Sequence, residues 1–358
     1  MITINITDIR KFFQRASAVK SNSIVQVLDF VKMDVAGNTA KISKSNMTDT
    51  ISLDITVASD ITASILLHEK ILIEFIKDAA SDIFTITILE DNLIRLYDGK
   101  TENSFATHDV SIYPTIPVWD ELNDFVELGE DVLKAIKVAS NYTGMQDGNL
   151  TNFSFVHLVS RNGKSDVFAS NNPATYLRSF DVGLPPIALS VSACNAISDY
   201  FAVRYQKAGN IDLFKVGETT YGFTAQGFGP PAYTKFVDEL PKDGGYTIKK
   251  DELTRFCNLA QVSSTSKSIH CDIADGNGEI AILEFIDHAV RVKNKAEISV
   301  EKQNPIIPIR LNVKTILPAL KALPYKDITL IHTTNFCIVT NKDDPDYLGI
   351  LMAMTREN

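Results

Sequence analysis

No stretch of this chain is apolar for the roughly 18 residues that a bilayer-spanning helix needs, which excludes such a span. Cysteine is scarce. The four thiols, Cys194, Cys257, Cys271 and Cys337, show no metal-ligand spacing, so buried, reduced thiols in a cytoplasmic protein are expected. The opening Met-Ile-Thr-Ile-Asn-Ile lacks the basic-then-apolar order of a secretion signal, which again points to the cytoplasm. Cations are outnumbered: 35 Lys and Arg face 44 Asp and Glu, a net charge of −9 over 358 residues.

Catalytic signatures are missing too. Six histidines (His68, His108, His157, His270, His288, His332) are scattered, with no HExxH and no metal-ligand pattern. No GxSxG turn frames a nucleophile. Gly227 and Gly229 precede two prolines, and no helix with Lys-Ser/Thr follows to cradle phosphate. Asp275–Glu279 is too short for a calcium loop and reads as a hairpin tip. No metal or cofactor is called for, and binding is the better reading than catalysis.

What is present repeats. Amphipathic helices are predicted over Thr7–Lys20, Gly129–Thr143 and Ile248–Ser263, each with an aspartate in its first turn where the helix dipole favours it. Asp8, Asp131 and Asp251 lie 123 and 120 residues apart. Second helices, over His68–Ala80, Ser192–Lys207 and Asn312–Leu323, keep nearly the same step. A step this long means three copies of a whole domain. The stripes sit at helical spacing: Ile9, Phe12, Phe13, Ala16 and Val19; Leu72, Phe75 and Ile76; Ile197, Tyr200 and Phe201; Leu253, Phe256, Cys257 and Ala260. Pro318 breaks the last helix unless that helix starts near Thr315.

Charge is segregated among these windows. They hold 15 basic residues against nine acidic, a net of +6, while the rest of the chain carries −15. One helix with this bias is an ordinary solvated face. Six sharing it point to a surface for a polyanion, with the remainder repelling it.

Between the helices, alternating segments read as strands: Thr39–Ser43, Thr50–Val57, Phe84–Leu89, Asn92–Tyr97, Phe153–Ser160, Asp166–Ala169, Ile211–Lys215, Ile269–Ile273, Glu279–Phe285 and Ala289–Val292. Glu90-Asp91 closes one hairpin. Boundaries fall near Leu122 and Gly245, giving domains over 1–122, 123–244 and 245–358. Two helices covering an antiparallel sheet make an α+β layer in each.

Several segments together resemble the bacterial sliding clamp, the beta subunit of DNA polymerase III. Ser45–Leu53 is similar to that family's ATDLEIxI strand, Ile65–Ala80 to its second helix, and Phe105–Pro117 to the YPxxP end of its first domain. Val167–Asn171 stands where VATDGHRL would begin, and Ile350–Thr355 where the tail vvMPMR would be. The resemblance implies three clamp domains per chain and a head-to-tail homodimer closed into a ring, with helices lining the hole. It implies duplex DNA held through phosphates without sequence readout. The expected partners are the polymerase catalytic subunit, a clamp loader and other proteins bearing a clamp-binding peptide.

By the helix faces and the resemblance together, the DNA-binding residues are Arg10, Lys11, Arg15, Lys20, Asn22, Lys134, Lys137, Arg204, Lys207 and Arg255. The resemblance places a partner-peptide cleft at Phe153, Ser170, Asn172, Pro173, Ala174, Thr175, Pro231, Lys235, Phe236, Ile350, Met352, Ala353 and Met354. It places Phe105 and Val262 at the dimer joint. Departures cluster in the cleft: Asn171–Thr175 replaces DGHRL, and Ala353 and Thr355 replace the tail's Pro and Arg. Aromatics usual near Thr151-Asn152 are missing, with Tyr142 the nearest substitute. A clamp-derived ring with an altered cleft, and an enzyme on a repeated α+β scaffold with an unrecognised site, remain open.

Overall fold

The computed structural model describes residues 1–20, 24–144, 149–241, 244–264, 269–277, 279–287, 291–302 and 306–354, without the side chains of Thr234, Lys235 and Lys302. These residues gather into two units, 1–130 with 195–225 and 131–194 with 226–358.

Seven α-helices are described: α1 (Ile6–Ala16), α2 (Glu69–Lys77), α3 (Glu130–Ala139), α4 (Val191–Ile197), α5 (Thr234–Asp238), α6 (Lys250–Ser263) and α7 (Val313–Ala322). No described helix is long and apolar enough to cross a membrane. In the first unit, α1 starts where Asn5 Oδ1 accepts from the Thr7 N–H at 2.8 Å, satisfying one orphan donor of the first turn. Ile9, Phe12, Ala16 and Val19 of the predicted stripe are buried, joined by Ile6, while Phe13 is only half-buried. The Arg10 guanidinium donates to the Ile76 carbonyl at 2.8 Å, tying α1 to α2.

Twelve described strands form this unit's antiparallel sheet. One path runs from the edge strand Glu102–Ala106 through Leu93–Tyr97, Ile83–Ile88, Ile2–Asn5, Asp49–Ser59, Thr219–Thr224, Ile211–Val216 and Ala202–Ala208 to Val126–Gly129. Pairing of Ile51 with Tyr221 and Leu53 with Thr219 carries the sheet across some 170 residues of chain, which is why residues 195–225 belong here. The expected hairpin forms, but its turn sits one residue later than Glu90-Asp91. Asp91 and Asn92, at φ 58° and 56°, are the left-handed central pair that matches strand twist, and the second strand starts at Leu93.

The second unit holds a nine-stranded and a four-stranded sheet. The nine-stranded sheet runs Ile187–Leu189, Val156–Arg161, Lys164–Ser170, Ala174–Phe180, Asp344–Met352, Phe336–Asn341, Asp327–His332, Tyr246–Lys249, Glu301–Lys302. The smaller sheet ends on the edge strand Val292–Ser299. Helices α6 and α7 lie against each other. The Tyr142 hydroxyl donates to the Ala319 carbonyl at 3.2 Å, fastening the turn after α3 to α7.

The strand expected over Ala289–Val292 lies partly outside the described residues, and the described strand there is Val292–Ser299. Three further expectations need correction. The helix over Ser192–Lys207 stops at Ile197, and Ala202–Ala208 is a strand between Val126–Gly129 and Ile211–Val216. Phe201 of its supposed stripe is 79% exposed; alternating Val203 and Tyr205 are buried by the sheet instead, and tertiary pairing overrides the helical spacing. Helix α7 starts at Val313, capped by Asn312, with Pro318 inside it. Pro318 lies on the exposed side, so the helix carries it with Ile316, Leu317 and Leu320 still buried. The strand read from Phe153 begins at Val156, after a 3₁₀ turn over Asn152–Ser154.

Candidate functional site

The cleft residues lie within the second unit, on its nine-stranded sheet and the segments beside it. Strand Lys164–Ser170 turns at Asn171–Pro173 into Ala174–Phe180, and that strand pairs with the tail, Thr175 opposite Ile350 and Ala174 opposite Leu351. The turn is self-supporting. Asn171 Oδ1 accepts from the Ala174 N–H at 2.9 Å, Ser170 Oγ accepts from the Asn172 N–H at 3.2 Å, and the Ser170 and Thr175 hydroxyls meet at 2.9 Å. Asn172 sits at φ 77°, a conformation asparagine tolerates better than most residues.

The tail is pinned rather than frayed. Met352 pairs with Phe336, the Ala353 N–H donates to the Asn335 carbonyl at 2.9 Å, and the Met354 N–H to the Arg310 carbonyl at 2.8 Å. Helix α5 sets the Phe236 ring edge-on to Phe336, centroids 5.4 Å apart. Phe236 and Met352 are 42% and 44% exposed. Met352 shares its sheet face with the buried Ser170 and Ile350, while the buried Ala174, opposite Leu351, alternates to the other face. The Phe153 carbonyl accepts from the Gly144 N–H at 2.9 Å. A Cβ on Gly144 would stand 3.0 Å from that of Asn171, so glycine permits this close approach to the turn. Pro231 is half-buried just ahead of α5; Lys235 lies in α5 with its side chain outside the described residues.

Apart from Lys235, no cleft position carries a titratable side chain, so the surface suits apolar anchors rather than chemistry. Methionine adds adaptability to such a surface. Sequence reading missed Phe336, since one aromatic at the start of a strand reads as core. Only the pairing with Met352 reveals its place.

The basic candidates divide. Arg10, Lys11, Lys20, Lys134, Lys137 and Arg255 are exposed. Arg15 is half-buried, its guanidinium bonded to the Thr219 hydroxyl. Asn22 lies outside the described residues. Arg204 and Lys207 are not on a helix, which removes the helix-face reason for choosing them. Arg204 pairs with Glu121 at 2.9 Å and lies 5.5 Å from the Trp119 ring centroid, and Lys207 pairs with Asp212 at 2.9 Å. Tyr142 is 2% exposed and cannot replace a surface aromatic.

Phe105 is the inward residue of the edge strand Glu102–Ala106, 8% exposed, so it serves its own core. Val262 is 86% exposed and Leu259 51%, and with Arg255, Lys295, Glu297 and Ile298 they border a surface hollow of about 680 Å³ beside the edge strand Val292–Ser299. Among the described residues, no cluster of three His, Cys, Asp or Glu side chains could hold a metal.

No known family model matches the sequence, and no curated protein matches it. Solved structures do. The DNA polymerase sliding clamp of Bacillus subtilis aligns at TM-score 0.88 and 15% identity over 99% of each chain. The DNA polymerase III subunit beta of Pseudomonas aeruginosa gives 0.86 and 15%, over 99% of this chain and all of that one. The beta subunit from the DNA polymerase of Streptococcus pyogenes gives 0.87 and 14% with the same coverage. Over essentially its whole length this chain has the fold of the bacterial DNA polymerase III beta sliding clamps.

Proposed function

We propose that two copies of this chain join head to tail into a ring that encircles duplex DNA and tethers the replicative polymerase for processive synthesis. The observation that carries the reading is the end-to-end clamp fold; the exposed apolar side chains of Phe236 and Met352, among the positions the resemblance assigns to partner peptides, support it. Each chain would divide into clamp domains 1–122, 123–244 and 245–358. The exposed cations of α1, α3 and α6 would face the phosphates, with contacts that are water-screened and blind to sequence. The open edge strands Glu102–Ala106 and Val292–Ser299 would meet across the joint, a heterologous contact that closes after two copies. The protein would act in the cytoplasm as a scaffold, docking the polymerase catalytic subunit, a clamp loader and other peptide-bearing proteins through one cleft.

Topology supplies the test. The loaded protein should stay on nicked circular DNA and slide off once the circle is cut; retention on linear DNA with free ends would reject encirclement. A second reading, a ring whose cleft takes a different peptide, is favoured by the Asn172-Pro173-Ala174 turn, which lacks the family's basic residue.

A further inference from the structure

The sheet face that carries the cleft continues past it. Strand alternation puts Ser170, Phe168 and Asp166 on one side of their strand, opposite Thr175, Leu177 and Ser179 of the next. Helix α5 lies across the middle of this face, where Tyr233, Val237 and Leu240 join Phe168, Leu177 and Ile350 in one core cluster. Phe236 looks toward the cleft. Behind Val237 and Leu240 is a groove of about 590 Å³, bordered by Arg161, Ser179, Asp238 and Asp346. A helix of five residues cannot hold itself by its own backbone bonds, and this one has a hollow at its back.

Polar ties fix it from that side. The Tyr233 ring stacks on Phe168 with centroids 4.1 Å apart, and its hydroxyl donates to Asp166 Oδ2 at 3.1 Å. Asp166 is wholly buried and also accepts from Ser179 Oγ at 2.6 Å and Arg161 Nε at 2.5 Å. The Arg161 Nη1 then reaches Asp238 Oδ1 at 2.7 Å. One guanidinium thus joins a buried carboxylate of the sheet to the last residue of α5. The buried charge holds Arg161 in place, while the Asp238 side chain is half exposed.

We propose that Arg161, gripping Asp238, is a positioning residue for the cleft: it sets where α5 holds Phe236 against Phe336, and so sets peptide affinity. The proposal rests on reading the cleft as a peptide site. The test uses the full chain and a short fluorescein-labelled peptide with adjacent Leu and Phe residues, together with amide exchange over Phe236–Leu240. Asp238→Asn should weaken binding about threefold to fivefold, the scale of a partly exposed ion pair, and speed exchange in that segment. Added salt should bring the unaltered protein toward the variant and leave the variant unmoved. Arg161→Lys, which keeps a cation for Asp166, should fall between them. Asp238→Asn with unchanged affinity and exchange overturns the proposal, as does a lowered melting temperature alone. If Phe236→Ala binds peptide as well as the unaltered chain, the cleft reading fails; faster exchange in Asp238→Asn would then still uphold the tie to α5.

Discussion

The backbone N–H of Met352 donates to the carbonyl of Pro173 at 2.8 Å. That bond sews the tail strand to the turn where the chain departs most from the clamps it resembles. The exposed methionine therefore stands on a fixed backbone, opposite Phe336, the ring against which Phe236 packs. Removing everything from Met352 onward would also remove the bonds to Pro173, Asn335 and Arg310, at about 1 kcal/mol each, so a side-chain change tests the site more cleanly than a truncation.

Met352→Ala should lower peptide affinity by about fivefold to tenfold, the effect of trimming one apolar anchor. It should leave the melting temperature nearly unchanged, because the side chain is 44% exposed. Fluorescence titration of a labelled polymerase tail peptide decides it; equal affinity in the variant would remove Met352 from the site.

Replacing Lys11, Lys20 and Lys137 together by Gln should shorten retention on nicked circles. It should also reduce the slope of log affinity against log salt by about two to three, near 0.9 for each phosphate no longer neutralised. The weakening should be alike for all DNA sequences. Arg204→Gln with Lys207→Gln should change neither quantity, since both side chains lie on a strand and pair with Glu121 and Asp212. The reverse ranking would mean that the wrong face has been chosen.

For the ring joint, the structure shifts the informative substitution. Phe105→Arg would bury a guanidinium in its own sheet and cost several kcal/mol of stability, so loss of the dimer there would say little. Val262→Arg, on a side chain 86% exposed, should alter stability by no more than about 0.5 kcal/mol. Light scattering should find it monomeric at concentrations where the unaltered chain is dimeric. A dimer of undiminished affinity would place the joint away from the end of α6.

His332 gives the fold a pH dependence. Its Nδ1 meets the Ile307 carbonyl at 2.7 Å and its Nε2 the Tyr246 hydroxyl at 2.8 Å. Burial pushes its pKa from 6.5 down to about 4, against a smaller upward pull from Ile307. Between those values the unfolded chain binds a proton that the folded chain refuses, so stability is full above pH 6.5 and drains away as the pH falls toward 4. The loss is on the order of 3 kcal/mol. The urea midpoint should drop further between pH 7.5 and pH 4.5 in the unaltered protein than in His332→Gln, in which this contribution is absent; identical pH slopes would assign the effect to carboxylates.

Much of this protein is decided locally. The stripes of α1, α2 and α6 bury the side chains that helical spacing selects, because a surface helix has one apolar face whatever lies beneath it. The hairpin over Ile83–Tyr97 follows from alternation and turn chemistry, although its turn is Asp91-Asn92 rather than Glu90-Asp91. The repeat of the helices, and the resemblance resting on ordered motifs, are likewise properties of the string of residues.

The rest belongs to long-range pairing. Spacing at 197, 200 and 201 looks helical, yet Ala202–Ala208 is a strand because two neighbouring strands offer backbone partners that no local pattern announces. Arg204 changes face with it. Phe336 joins the cleft only because its strand lies beside the tail, and Arg161 acquires a role only because the sheet brings Asp166 under α5 and Asp238 to its end. Helices are set by contacts three and four residues apart; a site built on a sheet is set by which strands meet, and that choice is made by burial over the whole unit.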